Sequence, residues 1–161
     1  MMNVRPAIAL DASSMADLLN PIIEEGGTTA IATKVTGGDL ADWMAEKGRS
    51  SWHVAVDDAE KVLGFQWIAQ GGDYLPYEAA EIATFVQVGQ TGLGIGSKLF
   101  DATRKAAKDL GYTWINANIR ADNEGGLIYY QSRGFQDYGR IDGYEMSNGQ
   151  VVDKILKRYD L

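Results

Sequence analysis

The residues best placed to do chemistry in this 161-residue chain are three glycines and a glutamate. The stretch VQVGQTGLGIGSKLF, beginning at Val86, sets Gly92, Gly94 and Gly96 on alternate positions, where an apolar strand pattern gives way to a helical one. Glycine serves the interior of either element badly, so the backbone there must approach something closely: a phosphate group, or merely its own tight turn. A helix start offers unpaired N–H groups at the positive end of the dipole, and glycines clear away side chains that would block an anion. Upstream, Glu81 stands among Ala79, Ala80 and Ile82. That apolar setting would raise its pKa toward the working range of a general base; a solvent-facing strand carboxylate is the other reading. The chain has no cysteine and one histidine, His53, in an alternating strand that suits a structural role better than a catalytic one. Thiol nucleophiles, thiolate metal sites and histidine clusters are thereby set aside, and no metal is expected. Chemistry must run on carboxylates, hydroxyls, backbone amides or a bound cofactor.

Two common glycine motifs fit poorly. A P-loop needs Lys and then Ser or Thr after its last glycine, but Gly96 is followed by Ser97 and then Lys98. A dinucleotide fingerprint needs G-x-G-x-x-G; here Ser97 stands where its last glycine would be, and too little chain remains for a doubly wound sheet.

The elements that must position these residues can be read from periodicity. VRPAIAL (4–10) predicts a short strand, followed by a helix capped at Asp11 or Ser13, stopped by Gly26–Gly27, and bent or split by Pro21. A second helix opens near Asp39, with Leu40, Trp43 and Met44 on one face. SWHVAVDDAEKVLGFQWIAQG predicts a hairpin turning at Asp57–Lys61; residues 71–78 read as a loop and 79–88 as a further strand. Ile95 to Leu110 carries apolar residues at helical spacing up to Gly111. YTWINANI then predicts a strand, a helix begins at Asp122, and two closing strands follow. The order β-α-α-β-β-β-α-β-α-β-β implies one α/β domain over residues 1–161 with a mixed central sheet.

A net charge of −7 and a pI near 4.6 argue against nucleic acid as a partner, because phosphate binding needs a concentrated basic surface. No apolar run reaches the roughly 18–20 residues of a membrane helix, and the first residues lack the order of a secretory signal, so a soluble, cytoplasmic protein is expected.

EIATFVQVGQTGLGIGSKLF followed by NEGGLIYYQSRGF resembles the GNAT superfamily of acyl-coenzyme A N-acyltransferases, in which a strand leads through a Q/R-x-x-G-x-G/A loop into a helix. The segment ADLLNPIIEEGGTTA, and the ungapped spacing from Glu81 to the glycines, look most like its phosphinothricin-acetyltransferase-like branch. The resemblance spans essentially the whole chain. Thr91, preceded by Gln90, departs from the Gln or Arg usual at its position, which bears on coenzyme affinity.

The resemblance implies a mixed, mostly antiparallel sheet of about six to seven strands flanked by about four helices. It implies that acetyl-coenzyme A is the cosubstrate, with backbone groups of Phe85, Val86 and Val88 pairing with its pantetheine arm. Amides of the Thr91–Ser97 loop (Thr91, Gly92, Leu93, Gly94, Ile95, Gly96, Ser97) would take the pyrophosphate. Asn123 would bond the pantetheine or cap its helix, or do both, and Gly126 and Tyr129 would border the coenzyme, with Tyr129 turned about 100° from Tyr130 and packing. Lys98, Arg104 and Lys105 could meet the 3′-phosphate, or form a solvated helix face. Acyl transfer needs a deprotonated amine, a donor for the oxyanion and a proton for the departing thiolate. The family positions give these to Glu81 as base, to a backbone N–H where the strand splays at a bulge near Val86–Gln87, and to Tyr130 of YQSRGF as acid; core packing is the competing reading for Tyr130. Trp67, Tyr74 and Tyr77 are expected around the acceptor, a small amine or amino acid; Arg49, Arg120 and Arg140 are the candidate arginines for an anionic head. The branch implies a homodimer. Two other functions are consistent with the residues: a non-catalytic acyl-coenzyme A sensor, and, on the glycines alone, a NAD-type binder.

Overall fold

The computed structural model describes residues 2–90 and 94–161. Its elements follow the predicted order: β1 (Asn3–Pro6), α1 (Ala12–Glu25), α2 (Gly37–Ala45), β2 (Ser51–Val56), β3 (Val62–Gln70), β4 (Ala79–Val86), α3 (Ile95–Asp109), β5 (Trp114–Arg120), α4 (Glu124–Ser132), β6 (Gln136–Glu145) and β7 (Val151–Asp160). The seven strands form one sheet in the order β1-β2-β3-β4-β5-β7-β6. Every neighbouring pair is antiparallel except β4 and β5, which α3 connects as a crossover. Among the described residues no helix is long and apolar enough to cross a membrane.

Alternation along the central strands sends side chains to two helical layers. Val54, Phe65, Trp67, Ala83 and Phe85 pack against Met15 and Leu19 of α1 and Leu40 of α2. Ile68, Ala80, Ile82, Ile115 and Ile119 pack instead against Phe100 and Ala107 of α3 and Tyr130 of α4. Gly64 lets α3 come close, since a Cβ there would stand 3.0 Å from Ile95 Cγ2 and from the Phe85 carbonyl oxygen.

Several boundaries differ from expectation, each for a local reason. β1 ends at Pro6, not Leu10, because the Asp11 carboxylate accepts the Ile8 N–H at 2.8 Å and two Arg5 N–H groups at 2.9 Å, curling Ala9–Asp11 into a 3-10 turn. Asp11 therefore caps that turn with its side chain, not α1. Pro21 does not split α1. It is exposed on the same side as exposed Asp17, whose carbonyl it leaves without an intrahelical partner, so water can replace the missing bond. α2 opens at Thr36, with Asp39 as the far arm of a reciprocal cap: Asp39 N–H donates to Thr36 Oγ1 at 3.0 Å, and Thr36 N–H to Asp39 Oδ2 at 2.9 Å.

Candidate active site

The site begins with a failure of pairing. β4 and β5 are hydrogen-bonded neighbours only where Ala79–Glu81 lie beside Trp114–Asn116. β4 continues to Val86 with β3 alone as partner, and β5 continues to Arg120 with β7 alone. Past Glu81 the middle of the sheet thus opens into a cleft whose two walls are strand edges lacking a strand partner. Backbone groups on such edges need hydrogen bonds from something else, and an extended, amide-bearing molecule supplies them as an added strand would. Phe85 and Val86 belong to this wall. Val88 does not: it lies 56% exposed in a turn closed by the Gln90 N–H on the Gln87 carbonyl at 3.0 Å, with Gly89 at φ 86°. Nor is there a bulge near Val86–Gln87. The β3–β4 register runs unbroken from Gln70↔Ala80 to Gly64↔Val86, and the Gln87 N–H is taken by the Leu63 carbonyl at 2.9 Å. The splay starts at Glu81 instead, on the β5 side.

Glu81 points to the α1/α2 face. It is the cross-strand neighbour of Ala69 on one side and Asn116 on the other. The Tyr74 hydroxyl donates to its carboxylate, and Asn116 Nδ2 and Asn118 Nδ2 donate to that hydroxyl at 3.2 and 3.4 Å. Tyr138 in turn donates to Asn116 Oδ1. Burial raises the pKa of Glu81 above the usual carboxylate range, with the Tyr74 hydrogen bond and the positive charge of Lys154 only partly opposing it. Burial, and then the bond to Glu81, push the Tyr74 hydroxyl up as well. Asn116, Asn118 and Tyr138 were missed in the sequence, although NAN in an apolar strand puts two amides on one face, a signal that something polar gathers there.

Of the other expected acceptor contacts, Trp67 lies on the same face two residues before Ala69, stacked on Trp52 with centroids 4.1 Å apart. Tyr77 is not brought to Glu81. Its ring lies 3.8 Å from the Arg49 guanidinium, which has the Tyr112 ring 4.0 Å away and donates to the Tyr77 and Leu110 carbonyls. Arg120, only 3% exposed, is tied to Asp122 and to the Thr29 carbonyl, and Arg140 to Asp142 and Asp153.

On the α3/α4 face, Tyr130 is buried and its hydroxyl lies 2.8 Å from Thr84 Oγ1. Gln66 Nε2 donates to Thr84 Oγ1 at 2.8 Å and to the Tyr129 hydroxyl at 3.1 Å, and Tyr129 donates to the Gly96 carbonyl at 2.7 Å. The two tyrosines therefore converge on one polar cluster and do not diverge, with ring centroids 4.9 Å apart. Burial pushes the Tyr129 hydroxyl up to about 12 and raises Tyr130 further, the nearby Glu81 charge adding to the latter. Thr84 and Gln66 carried no sequence signal beyond being polar in apolar strands.

Each described glycine has its own reason. Gly94 caps α3 in a left-handed conformation at φ 77° and offers no side chain to the first N–H groups of the helix. Ile95 and Gly96 follow in the first turn. At Gly96 a Cβ would stand 2.6 Å from the Tyr129 ring, so the missing side chain makes room for the protein's own tyrosine. At Gly126 it would stand 2.5 Å from Asn123 Nδ2, whose side chain accepts the Gly126 N–H at 2.9 Å and donates to the Thr28 carbonyl at 2.9 Å. Asn123 is thus a helix cap that also ties down the α1–α2 loop. Thr91, Gly92 and Leu93 lie outside the described residues. Near the start of α3, Arg133 donates to Ser97 Oγ, while its Nε is buried without a partner among the described residues. Lys98 is exposed in this turn, whereas Arg104 and Lys105 lie about two turns further on, beside Tyr159, Asp160 and Leu161.

The comparisons with known proteins agree with this geometry. The sequence model described as the Acetyltransferase (GNAT) family matches residues 14–135. A protein of Bacillus subtilis (strain 168) named "Putative phosphinothricin acetyltransferase YwnH" is 27% identical over 162 residues, covering 98% of both chains. Among solved structures, a GNAT superfamily phosphinothricin acetyltransferase from Sinorhizobium meliloti in complex with AcCoA superposes with a TM-score of 0.87 at 20% identity, over 99% of this chain and 88% of that one. A ribosomal-protein-alanine N-acetyltransferase from Brucella melitensis reaches the same TM-score of 0.87 at 20% identity, over 99% of both. A parted parallel strand pair, an α3 start free of a capping side chain, and a family match over most of the chain coincide: this protein belongs to the GNAT family of acetyltransferases.

Proposed function

We propose that the protein transfers an acetyl group from acetyl-coenzyme A to the primary amine of a small molecule or amino acid, by direct attack of the amine on the thioester. The observation that carries this reading is the cleft past Glu81, which lies between the two sheet faces with a carboxylate on one and a tyrosine on the other. The inner edge of β4, including Phe85 and Val86, takes the pantetheine arm, and the first turn of α3 (Ile95, Gly96, Ser97) faces the pyrophosphate, with Arg133 beside it. The crystal complex of the Sinorhizobium neighbour with AcCoA supports the identity of the donor.

The division of labour follows from charge. An alkylamine is mostly protonated near neutral pH, its pKa being close to the ~10.4 of lysine, so a base must remove a proton before attack. Glu81 is positioned for that and, with its raised pKa, is a stronger base than a solvated carboxylate. Tyr130, kept protonated by burial, supplies a proton to the departing thiolate and is oriented by Thr84. Calorimetric titration with acetyl-coenzyme A, followed by thiol-release assays across an amine panel, tests the reading. Glu81→Gln and Tyr130→Phe should each lower kcat by roughly 10²–10⁴-fold while coenzyme binding persists. Unchanged turnover in the double variant would remove both assignments; coenzyme binding with no thiol release for any amine would favour a sensor.

A further inference from the structure

A cavity of about 360 Å³ opens on the α1/α2 face, and of the residues expected around the acceptor it takes in Trp67 alone. One wall is indole: Trp67 lies flat on Trp52, 6° between planes, and 6.2 Å from Trp43 in a tilted arrangement. Ile31 of the α1–α2 loop closes one side. Ala69 also lines the cavity, and it is the cross-strand neighbour of Glu81. Cβ atoms so paired lie about 4.5–5.5 Å apart, so only a methyl group separates the tryptophan wall from the carboxylate.

We infer that this cavity seats the non-reacting body of the acceptor, and that the acceptor is a primary amine carried on an aromatic or branched apolar body; the inference rests on the acetyltransferase reading. The size suits a small-molecule site, and the lining sets the three indoles, Ile31 and Ala69 against a polar side of Glu46, Lys47, Arg49, Ser50 and Gln70. Flat indole faces reward an aromatic or branched body and do little for a polyhydroxylated one. An acidic head finds weaker anchorage than an apolar body, because Arg49 gives its terminal N–H groups to the Tyr77 and Leu110 carbonyls and lies between the Tyr77 and Tyr112 rings, while the other cation of the cavity, Lys47, is a solvated ammonium at its rim. The body lies against the exposed surface of the indole cluster, the amine passes over Ala69, and Glu81 receives it.

Three of the chain's four tryptophans line this cavity, and the fourth, Trp114, lies elsewhere under Arg158, so intrinsic emission reports on occupancy directly. The full chain is titrated with 2-phenylethylamine, spermidine, kanamycin and L-glutamate, following tryptophan emission, and thiol release from acetyl-coenzyme A is then measured with each. The expected result is a saturable emission change and the highest kcat/KM with 2-phenylethylamine. Trp67→Ala should raise its KM roughly 10- to 100-fold, with Trp67→Phe in between. Ala69→Leu should cut turnover of 2-phenylethylamine while calorimetric binding of acetyl-coenzyme A persists, which also shows that the variant is folded. Higher kcat/KM with spermidine, kanamycin or glutamate, or an unchanged KM in Trp67→Ala, overturns the inference and leaves the acetyltransferase reading standing. Absence of acetyl-coenzyme A binding to the unaltered chain overturns both.

Discussion

Glu81 holds its proton more tightly than a carboxyl in water, because burial penalises its charge more than Tyr74 and Lys154 relieve it. This has a cost in stability as well as a use in the proposed catalysis. Between the unfolded glutamate pKa of ~4.3 and the higher folded value, the native state binds more protons than the unfolded chain, so stability falls as pH rises through that window. Glu81→Gln removes the dependence. Urea unfolding from about pH 4 to pH 7 should show the Gln variant gaining on the parent as pH rises, with the gap levelling once Glu81 is ionised; a gap independent of pH would contradict the raised pKa. The same ionisation predicts that kcat/KM climbs with pH along a limb set by Glu81. Gly96 makes a second residue-level prediction. Gly96→Ala has no backbone strain to blame, since its φ is not positive, but its Cβ would meet the Tyr129 ring at 2.6 Å. The variant should lose about 1–3 kcal/mol in denaturant melts, and Tyr129→Ala in the same chain should recover part of the loss relative to additivity.

At the scale of elements, α4 and the α1–α2 loop are joined through one side chain. Asn123 satisfies the Gly126 N–H with its oxygen and the Thr28 carbonyl with its nitrogen. Asn123→Ala should cost about 1 kcal/mol as a lost cap, while Asn123→Asp keeps an acceptor for Gly126 but no donor for Thr28. The Asp variant is thus expected to recover most of the stability while amide exchange in residues 26–36 stays fast; equal protection of that loop in parent and Asp variant would show that the tie is unimportant. The elements themselves were largely legible. Hydrophobic periodicity and glycine stops located the helices and strands in their correct order, because these signals are local. What escaped were side-chain hydrogen bonds that redirect the chain: Asp11 curling β1 into a turn, and Thr36 opening α2 three residues before Asp39. Asp11 reads as a helix cap until Arg5 is seen to hold it, and that ion pair depresses the Asp11 pKa.

At the scale of the molecule, what sequence could not supply was the relation between strands. Nothing in AAEIATFV or WINANI says that the two run side by side for three residues and then part, because separation is a property of the twisted sheet and of the helices wedged on its faces. For the same reason the convergence of Tyr129 and Tyr130 on Thr84, and the departure of Tyr77 toward Arg49, were legible only in three dimensions. Net charge, by contrast, is a whole-chain property that sequence states outright, and it bears on how a polyanionic donor arrives. Out to about a Debye length the coenzyme meets a chain of net charge −7 and is repelled; in the proposed complex, Arg133 and the first turn of α3 attract it at short range. The Debye length falls from about 30 Å at 0.01 M salt to about 8 Å at 0.15 M, so added salt should suppress the long-range repulsion more than the short-range attraction. Stopped-flow mixing with acetyl-coenzyme A should therefore show an association rate that rises across that range, the reverse of an electrostatically steered encounter. A rate that falls with salt would mean that the basic groups at the cleft govern the approach in spite of the acidic remainder, and Arg133→Gln would then be expected to abolish the salt dependence.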